Sequence, residues 1–400
     1  MRGHKTDVTA CSFARATAIT AWQDPKTGAP HVLSGSADGE VRVWSLISRQ
    51  PIVTGAAHSG ASVLTVEALI GGRLLTQGRD GFVRVWDCRG DSTLDKPLLE
   101  LPSESYNFCQ AAASDALAGS NIFDGDGDAT TAAPATSGGA PLLAMANADA
   151  QRLHVWDLRQ PPKSPPALIL APSESAGKAG MCMCCRFCRD DAVLLSGWED
   201  GSLQVFDLRG GTTAGGGGGG ENANNAAAPP LSRRLHKEPL LCVTTDPKGA
   251  HALSGSADCS LYVTPLSSGG EAAPAEPVAH LSIPVTNEAS GSGGIASIAM
   301  RPDGRIFAAG GWDYRVRIWQ MKKFKPLAVL QQHRGTVNAV SFSYDSKWLA
   351  SASTDKIIAI WSLFPPKETE VDRNGFDGKG PMSYEGARWP KPVWDGPGRN

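Results

Sequence analysis

Three histidines of this chain stand 22 residues ahead of an aspartate: His58 ahead of Asp80, His236 ahead of Asp258 and His333 ahead of Asp355. Four residues before Asp80 and Asp355 comes a hydroxyl, Thr76 or Ser351, and six residues after them an indole, Trp86 or Trp361. Imidazole, carboxylate and hydroxyl are the parts of a nucleophilic triad, in which His removes the hydroxyl proton and the carboxylate orients the ring. An acyl-transfer enzyme needs one such set. A set that recurs at fixed spacing points instead to a structural network, in which buried polar groups satisfy one another once per repeat. His58, Thr76, Asp80 and Trp86 make one complete set and His333, Ser351, Asp355 and Trp361 a second, and all eight are assigned to stability. No residue is assigned to catalysis.

The aspartate-to-aromatic interval recurs seven times, at Asp38/Trp44, Asp80/Trp86, Asp149/Trp156, Asp200/Phe206, Asp258/Thr264, Asp313/Trp319 and Asp355/Trp361, with a residue standing in for Trp in two repeats. Each instance reads as a hairpin. In the first, LSGSA is a short strand, Asp38-Gly39 a tight turn and EVRVWSL an alternating strand with one buried face. A preceding strand, such as VTACSF at 8–13 or VNAVSF at 337–342, completes the inner part of the unit. Trp44 to Trp86 and Trp319 to Trp361 are each 42 residues, close to the length of WD-type blades. The expectation is an all-β, seven-bladed WD-repeat β-propeller over residues 1–364.

The surplus length falls in two insertions and a tail. Residues 119–141 and 210–230 hold few apolar side chains to offset the entropy of ordering, and read as disordered loops between strands. Residues 365–400 are rich in Pro, Gly and charge and read as a disordered tail, although Trp389 and Trp394 lie within it. Propellers usually close by lending an N-terminal strand to the last blade. Only Met1 to Gly3 precede the first His-containing turn, so either residues 364–400 supply that outer strand or the last blade is incomplete.

Bulk composition excludes several function classes. With 38 basic and 40 acidic residues the net charge is −2, so no global field concentrates nucleic acid or an anionic membrane. No stretch approaches the 18 apolar residues of a membrane span. Nine scattered cysteines and an N-terminus without an apolar signal core read as an intracellular, reduced protein. Cys182, Cys184, Cys185 and Cys188 crowd one strand, but alternation sends Cys182 and Cys184 one way and Cys185 the other, which suits buried thiols better than zinc. The run DGDGD at 124–128 starts like a calcium loop, but Ala129 and Ala135 stand where the loop needs Gly and Glu. No metal or cofactor is assigned, and no phosphate loop or nucleophile elbow is present.

Departures from the repeat mark where function was added. The fourth unit has Lys178 where the His is expected and Phe206 for the Trp; the fifth has Thr264 for the Trp; the third has Met145 for the hydroxyl. Residues just before the turn aspartates tend to line one rim of WD propellers. Here they are Ala37, Arg79, Ala148, Glu199, Ala257, Trp312 and Thr354. Arg79, Glu199 and Trp312 stand out as partner-binding candidates, because aromatics and Arg dominate binding energy.

In a WD-type blade, the resemblance implies that Asp accepts from His, His contacts the hydroxyl, and the hydroxyl contacts the indole N–H. Longer stretches carry a narrower likeness: LLTQGRDGFVRVWD (74–87), GKAGMCMCCRF (177–187), HKEPLLCVTTD (236–246), SGSADCSLYV (254–263), RPDGRIFAAGGWDYRVRI (301–318) and PLAVLQQH (326–333). They resemble the G-protein-beta-subunit-like protein 1 family, called ASTRA-associated protein 1 in fungi, from about residue 4 to residue 364. The resemblance implies a non-enzymatic scaffold, monomeric within a larger complex of nucleus and cytoplasm. It would work with the Tel2-Tti co-chaperone components in maturing phosphatidylinositol-3-kinase-like kinases, and in fungi with chromatin remodelling. Lys178, Met181 and Met183 form an element that is not a general WD feature and join the partner-binding candidates. An alternative comes from Trp-Asp-x-Arg at 86–89 and 156–159 and its variant at 206–209, a pattern seen in substrate receptors of cullin-RING ubiquitin ligases. There Arg89, Arg159 and Arg209 would offer bidentate contacts to the ligase adaptor on the opposite rim.

Overall fold

The computed structural model describes the chain apart from residues 14–21, 25, 90–92, 104–106, 119–139, 149, 174–177, 210–229, 267–275, 284–292 and 364–400. Seven antiparallel sheets follow one another along the sequence, six of them four-stranded. The first blade is Val8–Phe13, His31–Ser36, Glu40–Ser45 and Pro51–Ala56; the second is Val63–Leu69, Arg73–Gly78, Phe82–Asp87 and Leu99–Pro102. The fourth is Cys182–Cys188, Val193–Trp198, Ser202–Asp207 and Leu231–Arg234, and the sixth Ile295–Met300, Ile306–Gly311, Val316–Gln320 and Lys325–Leu330. The protein is a seven-bladed β-propeller, with the strands at 8–13 and 337–342 bounded as the sequence suggests.

Hydrophobic cores lie between blades rather than within them. Leu33, Val41 and Val43 of the first blade pack with Val63, Leu74 and Trp86 of the second. Val8, Phe13 and Trp44 of the first pack with Ala339, Ala350 and Ile358 of the seventh, which closes the ring. A single hairpin cannot bury these faces alone, so each blade depends on its neighbour.

The residue after the turn aspartate sits at positive φ, as glycine in the first, second and fourth blades and as Cys259, Tyr314 and Lys356 in the fifth to seventh. Gly39 sits at φ 87°, and a Cβ there would lie 1.6 Å from the His58 carbonyl oxygen. The first blade therefore docks its turn directly on the segment that carries the next blade's histidine.

The innermost strand of six blades begins with the same register shift, at Val8/Ala10, Val63/Thr65, Cys182/Cys184, Leu240/Cys242, Ile295/Ser297 and Val337/Ala339. This bulge overturns the simple alternation expected of the cysteines, because one extra residue moves the side chains that follow to the other face. Cys182 and Cys185 face the third blade, where Cys182 Sγ lies 3.8 Å from Cys109 Sγ, while Cys184 and Cys188 join the core shared with the fifth. Burial pushes the Cys11 and Cys88 thiols up to about 12 and Cys188 to about 11, so they behave as inert apolar groups. Among the described residues, no three His, Cys, Asp or Glu side chains are grouped to hold a metal ion, and no helix is long and apolar enough to cross a membrane.

Among the described residues, the seventh blade has three strands, Val337–Phe342, Trp348–Ser353 and Ile358–Ser362. The N-terminus reaches its outer edge: Arg2 bridges Ile357, the Ile358 N–H donates to the Met1 carbonyl at 3.0 Å, and the Met1 ammonium donates to the Ile358 carbonyl at 2.6 Å. The tail expected at 365–400 and the acidic run at 124–128 lie outside the described residues, as does Asp149 of the third pair. Of the two insertions, residues 119–139 and 210–229 lie outside the described residues. Pro141 is buried and its carbonyl accepts the Leu158 N–H at 3.1 Å, and Pro230 leads directly into the outer strand of the fourth blade.

Candidate partner-binding rim

The recurrent polar residues come together inside the blades. His58 Nδ1 lies 2.9 Å from the Asp80 carboxylate and Nε2 lies 2.8 Å from the Thr76 hydroxyl, which accepts the Trp86 indole N–H at 2.9 Å. His333 contacts Asp355 at 3.0 Å and Ser351 at 2.8 Å, and the Trp361 indole donates to Ser351 at 3.0 Å. His236 joins Asp258 and Ser254 in the same way, although Thr264 replaces the indole. Thr76 and Ser351 are fully buried, so no substrate carbonyl reaches either hydroxyl.

The first blade holds a further set that fixed spacing does not reveal. His4 Nε2 is 2.7 Å from the Ser34 hydroxyl, which accepts the Trp44 indole N–H at 2.8 Å, and Nδ1 lies 3.3 Å from Glu40 rather than Asp38. The long connection between the blade's first two strands separates His4 from its hydroxyl by 30 residues, against 18 for His58 and Thr76. The fourth blade is rewired. Phe206 has no N–H to give, and the Ser196 hydroxyl instead accepts the indole of Trp198 at 2.8 Å, a fully buried side chain. In the sixth blade Gly291 occupies the His position of the sequence. Asp313 is held there by Arg317, whose guanidinium donates to both carboxylate oxygens at 3.1 and 2.6 Å.

These networks fasten the hairpin turns to the segments that enter each blade, and so define a rim. The residue before the turn aspartate donates its amide to the carbonyl just ahead of the inner strand: Ala37 to Asp7, Arg79 to Ser62, Glu199 to Met181, Ala257 to Pro239, Trp312 to Gly294 and Thr354 to Thr336, at 2.9–3.2 Å. Six blades thus present this residue at one level of the same rim. Arg79, Glu199 and Trp312 belong to the second, fourth and sixth blades, so they share the rim but not one patch.

Around the fourth blade the rim departs most from the repeat. Lys178, at the position of the missing His, is exposed, and Met181 is 42% exposed. Glu199 is exposed on its outer side, yet its carboxylate accepts the Met181 amide at 3.0 Å, so side chain and main chain both hold the Met181 loop. Gly180 turns that loop at φ 76°. Met183 is half-buried. On the entry to the third blade, Phe108 is 62% exposed, with the Arg79 guanidinium 4.4 Å over its ring. Sequence reasoning missed Phe108, because the third blade's inner strand is only Ala112–Ala113 and no histidine marks its entry. Trp312 is half-buried, its ring so close to Gly294 that a Cβ there would lie 2.7 Å away.

The opposite rim carries Arg89, Arg159 and Arg209. Arg89 and Arg159 each fold back on the aspartate two residues before, the Arg89 Nε and Nη2 donating to Asp87 at 3.0 and 2.6 Å, and Arg209 pairs with Asp207 in the same way. All three are at least half exposed, and each caps the turn that follows the third strand of its blade.

The WD domain, G-beta repeat model matches residues 1–45, 230–264, 284–320 and 324–362. These four stretches carry WD40 repeats. The matched residues leave out the second and third blades and the first three strands of the fourth, where the third lacks its hydroxyl and the fourth its histidine and indole. At the scale of the whole chain, the WD40 propeller is similar to guanine nucleotide-binding protein subunit beta-like protein 1 of Mus musculus, 29% identical over 84% of this chain and 89% of that protein. It is similar to ASTRA-associated protein 1 of Aspergillus niger, 29% identical over 78% of this chain and 75% of the relative. The Schizosaccharomyces pombe protein of the same name is 25% identical over 91% of this chain and 98% of its own length.

Proposed function

We propose that this WD40 propeller is a non-enzymatic scaffold. Its turn rim holds a protein of the Tel2-Tti co-chaperone machinery or a phosphatidylinositol-3-kinase-like kinase client, in nucleus and cytoplasm, in an assembly that also serves chromatin remodelling. The observation that carries the reading is the run of exposed anchors over the second to fourth blades, Phe108 beneath Arg79 and Met181 beside Lys178. Exposed Phe and Met side chains beside an Arg are of the types enriched at protein interfaces. Similarity to proteins named ASTRA-associated supports membership of a complex. Burial of the recurrent hydroxyls supports a role without catalysis.

Purification of the tagged full chain from cells that express it is expected to recover Tel2-Tti components or a kinase of this class. Recovery of a cullin adaptor instead, lost on converting Arg89, Arg159 and Arg209 to Ala, would overturn the reading in favour of a ubiquitin-ligase receptor.

A further inference from the structure

Beneath the exposed anchors of the third and fourth blades lies a group of three thiols that the polar networks do not use. Cys109 follows Phe108 at the entry to the third blade, and Cys182 follows Met181 at the start of the fourth blade's inner strand. Both are free thiols and buried, with their sulfurs 3.8 Å apart. Cys185 completes the group, since its thiol and that of Cys109 donate to the same Gln110 carbonyl, at 3.5 and 3.7 Å. Gln110 is exposed and Cys185 half-buried, so the group lies close under the surface. Cys184 takes no part, because the bulge turns its thiol to the Leu240 carbonyl of the fifth blade.

Two features set Cys109 and Cys182 apart from the inert thiols of the cores. An isolated parallel bridge between Gln110 and Cys184 holds their main chains side by side, the arrangement a disulfide needs across its two backbones. Hydrogen bonds from Cys182 and Cys185 hold the Cys109 thiol well below the ordinary thiol range against its burial, whereas burial raises Cys182. Cys109 is thus the first of the group to ionise, and the thiolate is the reactive form. The third blade is also weakly fastened at this point. Its inner strand has two residues, Ala112–Ala113, against six or seven in the other blades, and no histidine precedes it.

We propose that Cys109 and Cys182 are a redox pair, which a hydroperoxide joins in a disulfide that fastens the entry of the third blade to the fourth, directly beneath Phe108 and Met181. Cys109, its proton released to water, attacks one oxygen of hydrogen peroxide; the O–O bond breaks, a sulfenic acid forms, and the departing hydroxide takes up a proton. The Cys182 sulfur then attacks the sulfenic sulfur. The S–S bond forms, the S–O bond breaks, and the oxygen leaves as water with the Cys182 proton. Two thiols have lost two electrons and the peroxide has become two waters. Closing the sulfurs from 3.8 Å to about 2.0 Å draws the two anchor-bearing segments together, and a thiol reductant releases them. The effect on a partner rests on the function proposed above, whereas the bond does not, so a test of the bond separates the two.

Purified full chain, freed of reductant, is treated with hydrogen peroxide, alkylated, and digested without reduction. A peptide containing Cys109 linked to the segment containing Cys182 is expected in wild type and in Cys185→Ala, abolished by dithiothreitol and at least tenfold less abundant in Cys182→Ala. Both variants replace a small thiol by a small apolar group, and fragmentation of the wild-type peptide locates the bond without relying on either. Absence of the link in wild type, at peroxide that converts the exposed Met181 to its sulfoxide, would overturn the proposal. So would a bond located at Cys184 or Cys185, one lost in Cys185→Ala, or one that persists in Cys182→Ala.

Discussion

Arg317→Met is expected to destabilise the protein by about 3–5 kcal/mol, the cost of leaving one charge of a buried pair without its partner. Asp313 and Arg317 are 2% and 6% exposed, and both carboxylate oxygens are engaged by the guanidinium. Elsewhere an Arg four residues past the turn aspartate is an accessory. Arg84 donates to Asp80 at 2.6 Å, but His58 also contacts that carboxylate. In the sixth blade no histidine shares the task, so the loss falls on one pair. Replacing both partners, Asp313→Leu with Arg317→Met, should recover most of the loss, because an apolar pair of similar volume leaves no buried charge. Chemical denaturation of the two variants distinguishes these cases. A single variant within about 1 kcal/mol of wild type would mean that the pair is solvated rather than buried.

Acid is expected to weaken the protein in two phases, and the sign follows from the direction of each shift. Burial first, against the opposing pull of the neighbouring carboxylate, lowers the folded-state pKa of His58, His236 and His333 below the ordinary histidine value, and burial lowers His4 as well. Their unfolded counterparts bind a proton near pH 6.5, before the folded ones do. Stability from these groups is therefore complete above about pH 6.5 and declines as pH falls below it. The carboxylates act lower down. Burial raises Asp80, Asp258 and Asp355, but hydrogen bonds and the charges of Arg84 and the histidines outweigh it and hold each below the usual value. Their stabilisation is present above about pH 3.9 and lost as pH falls through the lowered folded values. Melting temperature followed from pH 8 to pH 4 should begin to fall below about pH 6.5, and His333→Gln should flatten that part of the curve. A melting temperature that rose as pH fell through 6.5 would show that the histidines are charged in the folded protein.

The sequence made the propeller legible because its repeat is written in side chains with fixed partners. Thr76, Asp80 and Trp86 lie at constant intervals because hairpin geometry fixes their spacing, and His58 keeps its interval because the connection between the blade's first two strands is short. Three kinds of information escaped. His4 is hidden by the long connection before His31, which changes its interval from Ser34 without changing the contact. Trp198 is hidden because a substitution at Phe206 was compensated from a different position, and a compensating contact has no fixed spacing. The facing of Cys182, Cys184 and Cys185 is hidden because alternation fails at a bulge, which leaves no mark in residue type.

The rim was only partly legible. Counting to the residue before each aspartate placed Arg79, Glu199 and Trp312 on the rim, because the same amide bond recurs in their blades. It could not tell that Trp312 lies against Gly294, or that Phe108, from a blade with almost no inner strand, would lie under Arg79. Those are contacts between elements of different blades, and no repeat period encodes them.

The most direct test of the scaffold reading compares two rims in one purification. Tagged wild type, the turn-rim variant Phe108→Glu with Met181→Glu, and the opposite-rim variant Arg89→Ala with Arg159→Ala and Arg209→Ala are recovered from the same cells at matched melting temperature. Both turn-rim side chains are exposed, so charge there should leave the fold intact while adding a desolvation cost to any apolar contact. Partners retained by wild type and the opposite-rim variant, and reduced at least tenfold with the turn-rim variant, are the result predicted. Partners unchanged by the turn-rim variant, or lost only with the arginines, would contradict it.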